Sequence, residues 1–221
     1  MGNGPSITLL IADDHTLVRQ GLVQIFSLYK EFTVLGEAAD GREAVRKAIE
    51  LHPRLVLMDL NMPDMNGIEA TRLIKKASPE MGVVIVSAYD DVGYVTQVYH
   101  SGANGYLLKT SDPQVLRQWL NEAVTSDEFF CPHLPPHQLR QVVRSDHGEA
   151  QRLINLLTSR EREILQLIAE AQSHQQIADR LNISVRTVDT HHHNILSKLG
   201  IHDSVSLVTF AIKNGLVVLP R

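Results

Sequence analysis

Val-Leu-Met-Asp-Leu-Asn-Met-Pro-Asp-Met-Asn-Gly, residues 56–67, decides the fold. Leu55–Met58 reads as a short apolar strand ending at Asp59. Asn66-Gly-Ile-Glu69 then has the spacing of a capping box, with a side-chain acceptor followed three residues later by Glu. It predicts a helix to about Ala77. A strand, a polar turn and a capped helix make one βα unit.

The same unit recurs on both sides. Ile7–Ala12 is an apolar run suited to a strand buried on both faces, and Thr16–Leu28 has helical spacing. Phe32–Glu37 predicts a second strand, and Asp40-Gly-Arg-Glu43 a second capping box for a helix to about Leu51. Gly82–Val86 predicts strand four, ending at Ser87, with a helix over Val92–Ser101. Tyr106–Leu108 predicts strand five, ending at Lys109. Asp112-Pro113 supplies an N-cap and a first-turn proline for a helix through Val124. Five βα units imply a parallel sheet with helices on both faces.

In a parallel sheet, ligands bind outside the carboxyl ends of the strands. Here those ends carry Asp13-Asp14, Asp59, Ser87 and Lys109. Converging carboxylates raise one another's proton affinity, and a divalent cation relieves that. Hard oxygen donors suit Mg²⁺. Lys109 offers a fixed positive charge, Ser87 a hydroxyl, and the small Ala88 leaves space. These are the parts required for phosphoryl transfer to Asp. An Asp at a strand end also commonly caps the next helix; capping accounts for one such residue but not for all five together.

The set Asp13-Asp14, Asp59 within its run, Ser87-Ala88 and Tyr106-Leu-Leu-Lys109 resembles the receiver domain of two-component response regulators. The resemblance covers residues 7–125. It implies a flavodoxin-like (βα)5 fold with sheet order 2-1-3-4-5, and Asp59 as phosphoacceptor. It further implies that Asp14 and the backbone carbonyl of Asn61 join Asp59 around Mg²⁺ (or Mn²⁺), with Asp13 acting through water. Ser87 and Tyr106 would be the switch pair, Lys109 would pair with phosphoryl oxygens, and a histidine kinase would be the donor.

Residues 126–150 break the pattern and read as a linker with partial structure. Cys131-Pro-His-Leu-Pro-Pro136 cannot form a regular helix, and His137–Arg144 predicts a short one. Cys131 is the only cysteine, which excludes a disulfide framework and a multi-Cys metal site. No basic or second Cys partner is visible, so it reads as a bystander.

Residues 151–217 read as four helices. Thr158-Ser-Arg-Glu161 is a capping box for a helix to Ala171. His174–Leu181 is short, Asn182-Ile-Ser184 is a tight turn, and Ser184 caps a helix to Leu199 that Gly200 stops. Ser204–Asn214 makes the last, ended by Gly215, and Leu216–Leu219 has weak strand character. A short helix, a three-residue turn and a second helix are the spacing of a helix-turn-helix. On the outer side of the second helix, Asp189, Thr190 and His193 are candidates for base edges. Arg186, Thr187 and Lys198 are candidates for phosphates. The runs around 157–165, Ile177-Ala and Lys198-Leu-Gly resemble the LuxR/NarL-type four-helix DNA-binding domain. The whole chain is therefore similar to NarL/FixJ-type response regulators. In that family the last helix mediates dimerisation, although core packing explains its apolar residues as well.

Charge fits such a partner only thinly. The chain carries 21 basic and 25 acidic residues, net −4. Residues 150–221 alone are basic, with 8 against 6, and hold five of the eleven histidines. His191-His-His193 stands where cations are common in the family, which predicts low and somewhat pH-dependent affinity for random DNA. Adjacent helical residues point about 100° apart, so the three histidines cannot share one metal ion. No apolar run reaches the roughly 18 residues of a bilayer span, so a cytoplasmic, non-membrane protein is expected. The expected function is a non-enzymatic, phosphorylation-controlled transcription factor, dimeric when phosphorylated. Alternatives from the same residues are a phosphorylation-independent regulator and an Asp-nucleophile phosphohydrolase.

Overall fold

The computed structural model describes residues 6–126, 128–144 and 149–213. It divides into two compact units, Met1–Arg144 and Ser145–Arg221.

The first unit runs β1 Ile7–Ala12, α1 Thr16–Ser27, β2 Phe32–Ala38, α2 Gly41–Leu51, β3 Leu55–Asp59, α3 Gly67–Ala77, β4 Gly82–Ser87, α4 Val92–His100, β5 Gly105–Leu108 and α5 Pro113–Ala123. The strands form one parallel sheet in the order β2-β1-β3-β4-β5. Side chains alternate across it. Leu9, Ile11, Leu57, Val84 and Val86 pack with Phe26, Leu116 and Leu120 of α1 and α5. Leu10, Val56, Met58, Val83 and Ile85, also buried, point to the opposite face. Burial on both faces explains why the strands read as continuous apolar runs rather than alternating ones.

Local chemistry sets the helix starts. Asp40 and Asn66 each accept the backbone N–H three residues on. Glu43 returns its bond to Ala39 rather than to Asp40, so this box closes one residue further out than the sequence predicts. A Cβ on Gly67 would lie 2.1 Å from the Asp59 carbonyl oxygen. Only glycine lets α3 begin this close to the end of β3.

The stretch read as a linker holds the expected short helix, but it belongs to the first unit as far as Arg144. Phe130 bridges to Gly105, accepts the Tyr106 N–H at 2.9 Å and donates to Asn104. Its ring stacks on Trp119 at 5.0 Å and fills the space that a Cβ on Gly105 would need. Leu134 and Val142 are buried, and α6 (Pro136–Arg144) packs on α4. Two aromatic residues among prolines carry no periodicity, so the sequence does not advertise this cover.

The second unit holds α7 Glu149–Asn155, α8 Ser159–Ala169, α9 His174–Leu181, α10 Val185–Leu199 and α11 Ser204–Lys213. The sequence expectation omits α7, whose Ile154 enters the core beside Leu165, Ile168, Ile177, Val188, Ile195 and Leu207. Thr158–Glu161 forms the full capping box. Ser173–Gln176 forms another that the sequence reading does not name. α8 ends two residues early, with Ala171 at a φ of 60°. Gly200 takes the left-handed C-cap conformation at a φ of 65°. The Leu216–Leu219 expectation and the stop at Gly215 lie outside the described residues. Among the described residues, no single helix is long and apolar enough to cross a membrane.

Candidate functional site

The carboxyl ends of β1, β3, β4 and β5 bring the expected residues together. Asp13 and Asp14 follow β1, Asp59 and Ser87 end β3 and β4, and Lys109 follows β5. The Lys109 ammonium stands 2.7 Å from Asp13 Oδ2 and 2.9 Å from Asp59 Oδ2. Its backbone N–H donates to the Ser87 carbonyl at 2.7 Å. Arg19 donates to the Asp13 backbone carbonyl at 2.6 Å and holds the acidic turn. Asp13, Asp59 and Ser87 are buried, while Asp14 is partly exposed.

Capping does not explain this cluster. The N-cap of α1 is His15, with no side-chain cap bond. Asp13 Oδ1 accepts the His15 backbone N–H at 2.8 Å, the amide of the N-cap residue itself.

One ammonium pairs with two carboxylates, and a third, that of Asp14, stands within 4.8 Å of them. Burial pushes the Asp59 carboxyl up to about 6; Lys109 opposes the rise, and the charges of Asp13 and Asp14 add to it. Burial would lower the Lys109 ammonium, but Asp59 and Asp13 outweigh it and hold the group above its ordinary value. Ligand atoms of Asp13, Asp14, His15 and Asp59 lie within 4.8 Å of one another. Asp14 Oδ1 is buried with no hydrogen-bond donor. His15 Nδ1 sits 2.7 Å from it without hydrogen-bond geometry. A surplus of hard anionic oxygens with one acceptor unfilled fits a divalent cation such as Mg²⁺. Asn61 lies in the loop directly after β3, two residues beyond Asp59.

Ser87 and Tyr106 are linked through one backbone unit. Ser87 Oγ accepts the Tyr89 N–H at 3.1 Å, and the Tyr106 hydroxyl donates to the Tyr89 carbonyl at 2.8 Å. Tyr106 is fully buried, its ring turned inward. Burial pushes its phenol well above the ordinary value, so it stays a neutral donor. His133 stands against this ring at 5.5 Å. Cys131 is buried beside His133, and burial pushes its thiol up to about 12, the opposite of an activated nucleophile.

The second unit divides the expected DNA contacts. Arg186, Asp189, Thr190 and His193 are exposed on α10, and Thr187 is partly so. Thr190 donates its hydroxyl back to the Arg186 carbonyl at 2.8 Å. Thr187 is engaged at the cap, its Oγ1 2.8 Å from Ser184 Oγ. Lys198 does not project outward: its Nζ lies 2.6 Å from Glu161 Oε2, inside the capping box of α8. Asp189 is paired too, 2.6 Å from His174 Nδ1. The histidine run has no common focus. His191 Nδ1 and His192 Nε2 are buried without hydrogen-bond partners. Burial, followed by the neighbouring His174 and His193, lowers the pKa of His192.

These residues fall within two known families. Residues 9–121 match the response regulator receiver domain, and residues 155–211 match the bacterial regulatory proteins of the luxR family. The transcriptional regulatory protein DegU of Brevibacillus brevis is 35% identical over 228 residues, covering 97% of each chain. The response regulator protein VraR of Staphylococcus epidermidis is 37% identical over 212 residues, covering 96% of this chain and 99% of its own. Among solved structures, the response regulator ChrA of a heme-sensing two-component system superposes with a TM-score of 0.51 at 30% identity. That match covers 96% of this chain and 98% of ChrA.

Proposed function

We propose, from the premise that the chain belongs to the response regulators joining a receiver domain to a LuxR-type DNA-binding domain, that phosphorylation of Asp59 controls its binding to duplex DNA. It is a two-component response regulator, and its family is that of DNA-binding transcriptional regulators. The observation that carries the reading is Lys109 lodged between Asp13 and Asp59 in a pocket that keeps excess negative charge.

In this reading the donor is a phosphohistidine of a kinase. An Asp59 oxygen attacks phosphorus, the P–N bond breaks, and the imidazole leaves with a proton. Asp14, Asp59 and the Asn61 carbonyl would hold Mg²⁺ or Mn²⁺, with Asp13 acting through water. The ion would supply charge neutralisation at the phosphoryl oxygens. Lys109 then exchanges one carboxylate partner for a phosphoryl oxygen. Ser87 turns its hydroxyl from the Tyr89 N–H toward the new group. Tyr106, bonded to the same residue through the Tyr89 carbonyl, registers that movement. In the second unit, Arg186, Thr190 and His193 face DNA, and the modified protein acts as a homodimer.

Phosphotransfer to the wild-type chain and to Asp59→Asn tests the first step. Incorporation should fall to background in the variant. Duplex binding and molecular mass, measured with and without beryllofluoride, test the second. Equal labelling of both proteins refutes the phosphoacceptor, and unchanged binding and mass refute the switch.

A further inference from the structure

We propose that His174 is a positioning residue, which fixes Asp189 as the acceptor for an exocyclic base amino group in the major groove. The pair thereby sets a preference for cytosine or adenine at one position of each half-site. This rests on the DNA-binding reading and names a specificity device within it.

The two residues belong to different helices of the helix-turn-helix. His174 is the first residue of α9, held by the capping box of Ser173 and Gln176. Asp189 lies in the second turn of α10. Nδ1 of the first is 2.6 Å from Oδ1 of the second. The His192 ring stands nearly perpendicular to that of His174 (86°), with centroids 5.1 Å apart, and braces it from α10. The imidazole is therefore placed by its own helix cap, by its carboxylate partner and by a neighbouring ring.

This placement decides what Asp189 can read. An ionised carboxylate only accepts hydrogen bonds. The base donors in the major groove are the amino groups of cytosine N4 and adenine N6, while guanine and thymine present acceptors there. An untethered Asp near two phosphate chains would turn toward solvent, because the duplex field repels it. Tying Oδ1 to His174 fixes both side-chain torsions and offsets that repulsion by a charge-assisted bond. Oδ2 keeps its lone pairs in a fixed direction. The nearby Thr190 gives its only proton to the Arg186 carbonyl and keeps acceptor lone pairs alone. Asp189 is thus a charged acceptor whose orientation is set from a second helix.

The test is selection from a random duplex library by the full-length chain carrying beryllofluoride. It is run for wild type, His174→Ala, His174→Asn, Asp189→Asn and the double variant His174→Ala/Asp189→Asn, with thermal unfolding of each. Wild type should favour an amino-bearing base about fivefold at one half-site position, the scale of a single base contact. The selected base tells cytosine from adenine. His174→Ala should drop that preference below about twofold and leave the other positions intact. His174→Asn, which keeps a donor, should retain it. Asp189→Asn and the double variant should lose it equally. A purely structural staple would lower the melting temperature of His174→Ala and leave the selected motif unchanged, and that result overturns the proposal. So does loss of preference in Asp189→Asn but not in His174→Ala. If wild type selects no motif at all, the DNA-binding reading itself fails, an outcome distinct from an intact motif in the variants.

Discussion

Two lysines separate the receiver unit from the helical unit. Each stands within 3 Å of a buried carboxylate. Lys109 meets Asp13 and Asp59 with Asp14 beside them, so one positive charge is outnumbered. Among the described residues Lys198 meets Glu161 alone, and the same carboxylate oxygen accepts the Thr158 N–H at 2.7 Å. The first arrangement is left short of positive charge, and the second is complete. A site and a lock can share the same pair of residue types; what distinguishes them is the charge left over.

The largest effect should come from backbone crowding in the receiver. Gly67→Ala drives a methyl group onto the Asp59 carbonyl oxygen. It should cost about 3 kcal/mol by denaturant titration and impair phosphorylation. Gly200→Ala meets nothing within 4 Å but must hold a φ of 65°. It should cost only about 1 kcal/mol. Equal losses would break the contrast between a steric and a conformational glycine.

Next come the lysines themselves. Lys109→Met strands buried negative charge and should lose about 2 kcal/mol in magnesium-free buffer. Millimolar Mg²⁺ should return most of that. Lys198 is about one-third exposed (36%), so Lys198→Met should lose nearer 1 kcal/mol, with no recovery in Mg²⁺. Recovery of both variants to the same degree would erase the distinction between site and lock.

Acid should sharpen it. Burial would raise the Glu161 carboxyl, but hydrogen bonds from Lys198 and Thr158 outweigh this and hold it below its ordinary 4.5. A depressed folded-state value means that the stabilisation is full above about pH 4.5 and is lost as pH falls through the lowered value. The helical unit should weaken in that window, and Glu161→Gln should flatten the dependence. Asp59 shifts the opposite way, so it adds no such acid loss to the receiver.

The smallest effect concerns random DNA. Histidines as a class change charge between about pH 5 and 8; His193 is exposed on α10, whereas burial lowers the pKa of the His192 imidazole. A few-fold tighter binding at pH 6 than at pH 8 in fixed salt is expected by fluorescence anisotropy. Identical curves would remove any role for the histidine run.

The receiver was legible because its chemistry is written at strand ends. Short apolar runs located β1, β3, β4 and β5, capping boxes located α2 and α3, and the parallel sheet then brought Asp13, Asp14, Asp59, Ser87 and Lys109 to one edge. The helical unit was legible as helices but not as a surface. Helical spacing placed Asp189 on the outer side, and Lys198 was a candidate for phosphate, yet each side chain finds a partner on another helix. Those partners, Glu161 and His174, lie 37 and 15 residues away. No local pattern records such pairings. The cover over β5 escaped for a related reason: Phe130 is recognisable only once Gly105 and Trp119 are neighbours.

That cover bears on where a gene fragment can be cut. A piece ending at residue 125 would leave the indole of Trp119 and the glycine-floored slot of β5 open to water. It would also free the Tyr106 amide, which the next few residues otherwise engage. Such a fragment should be stickier and less soluble than one carried on to residue 144, because its last strand would lie bare and ready to zip onto another molecule.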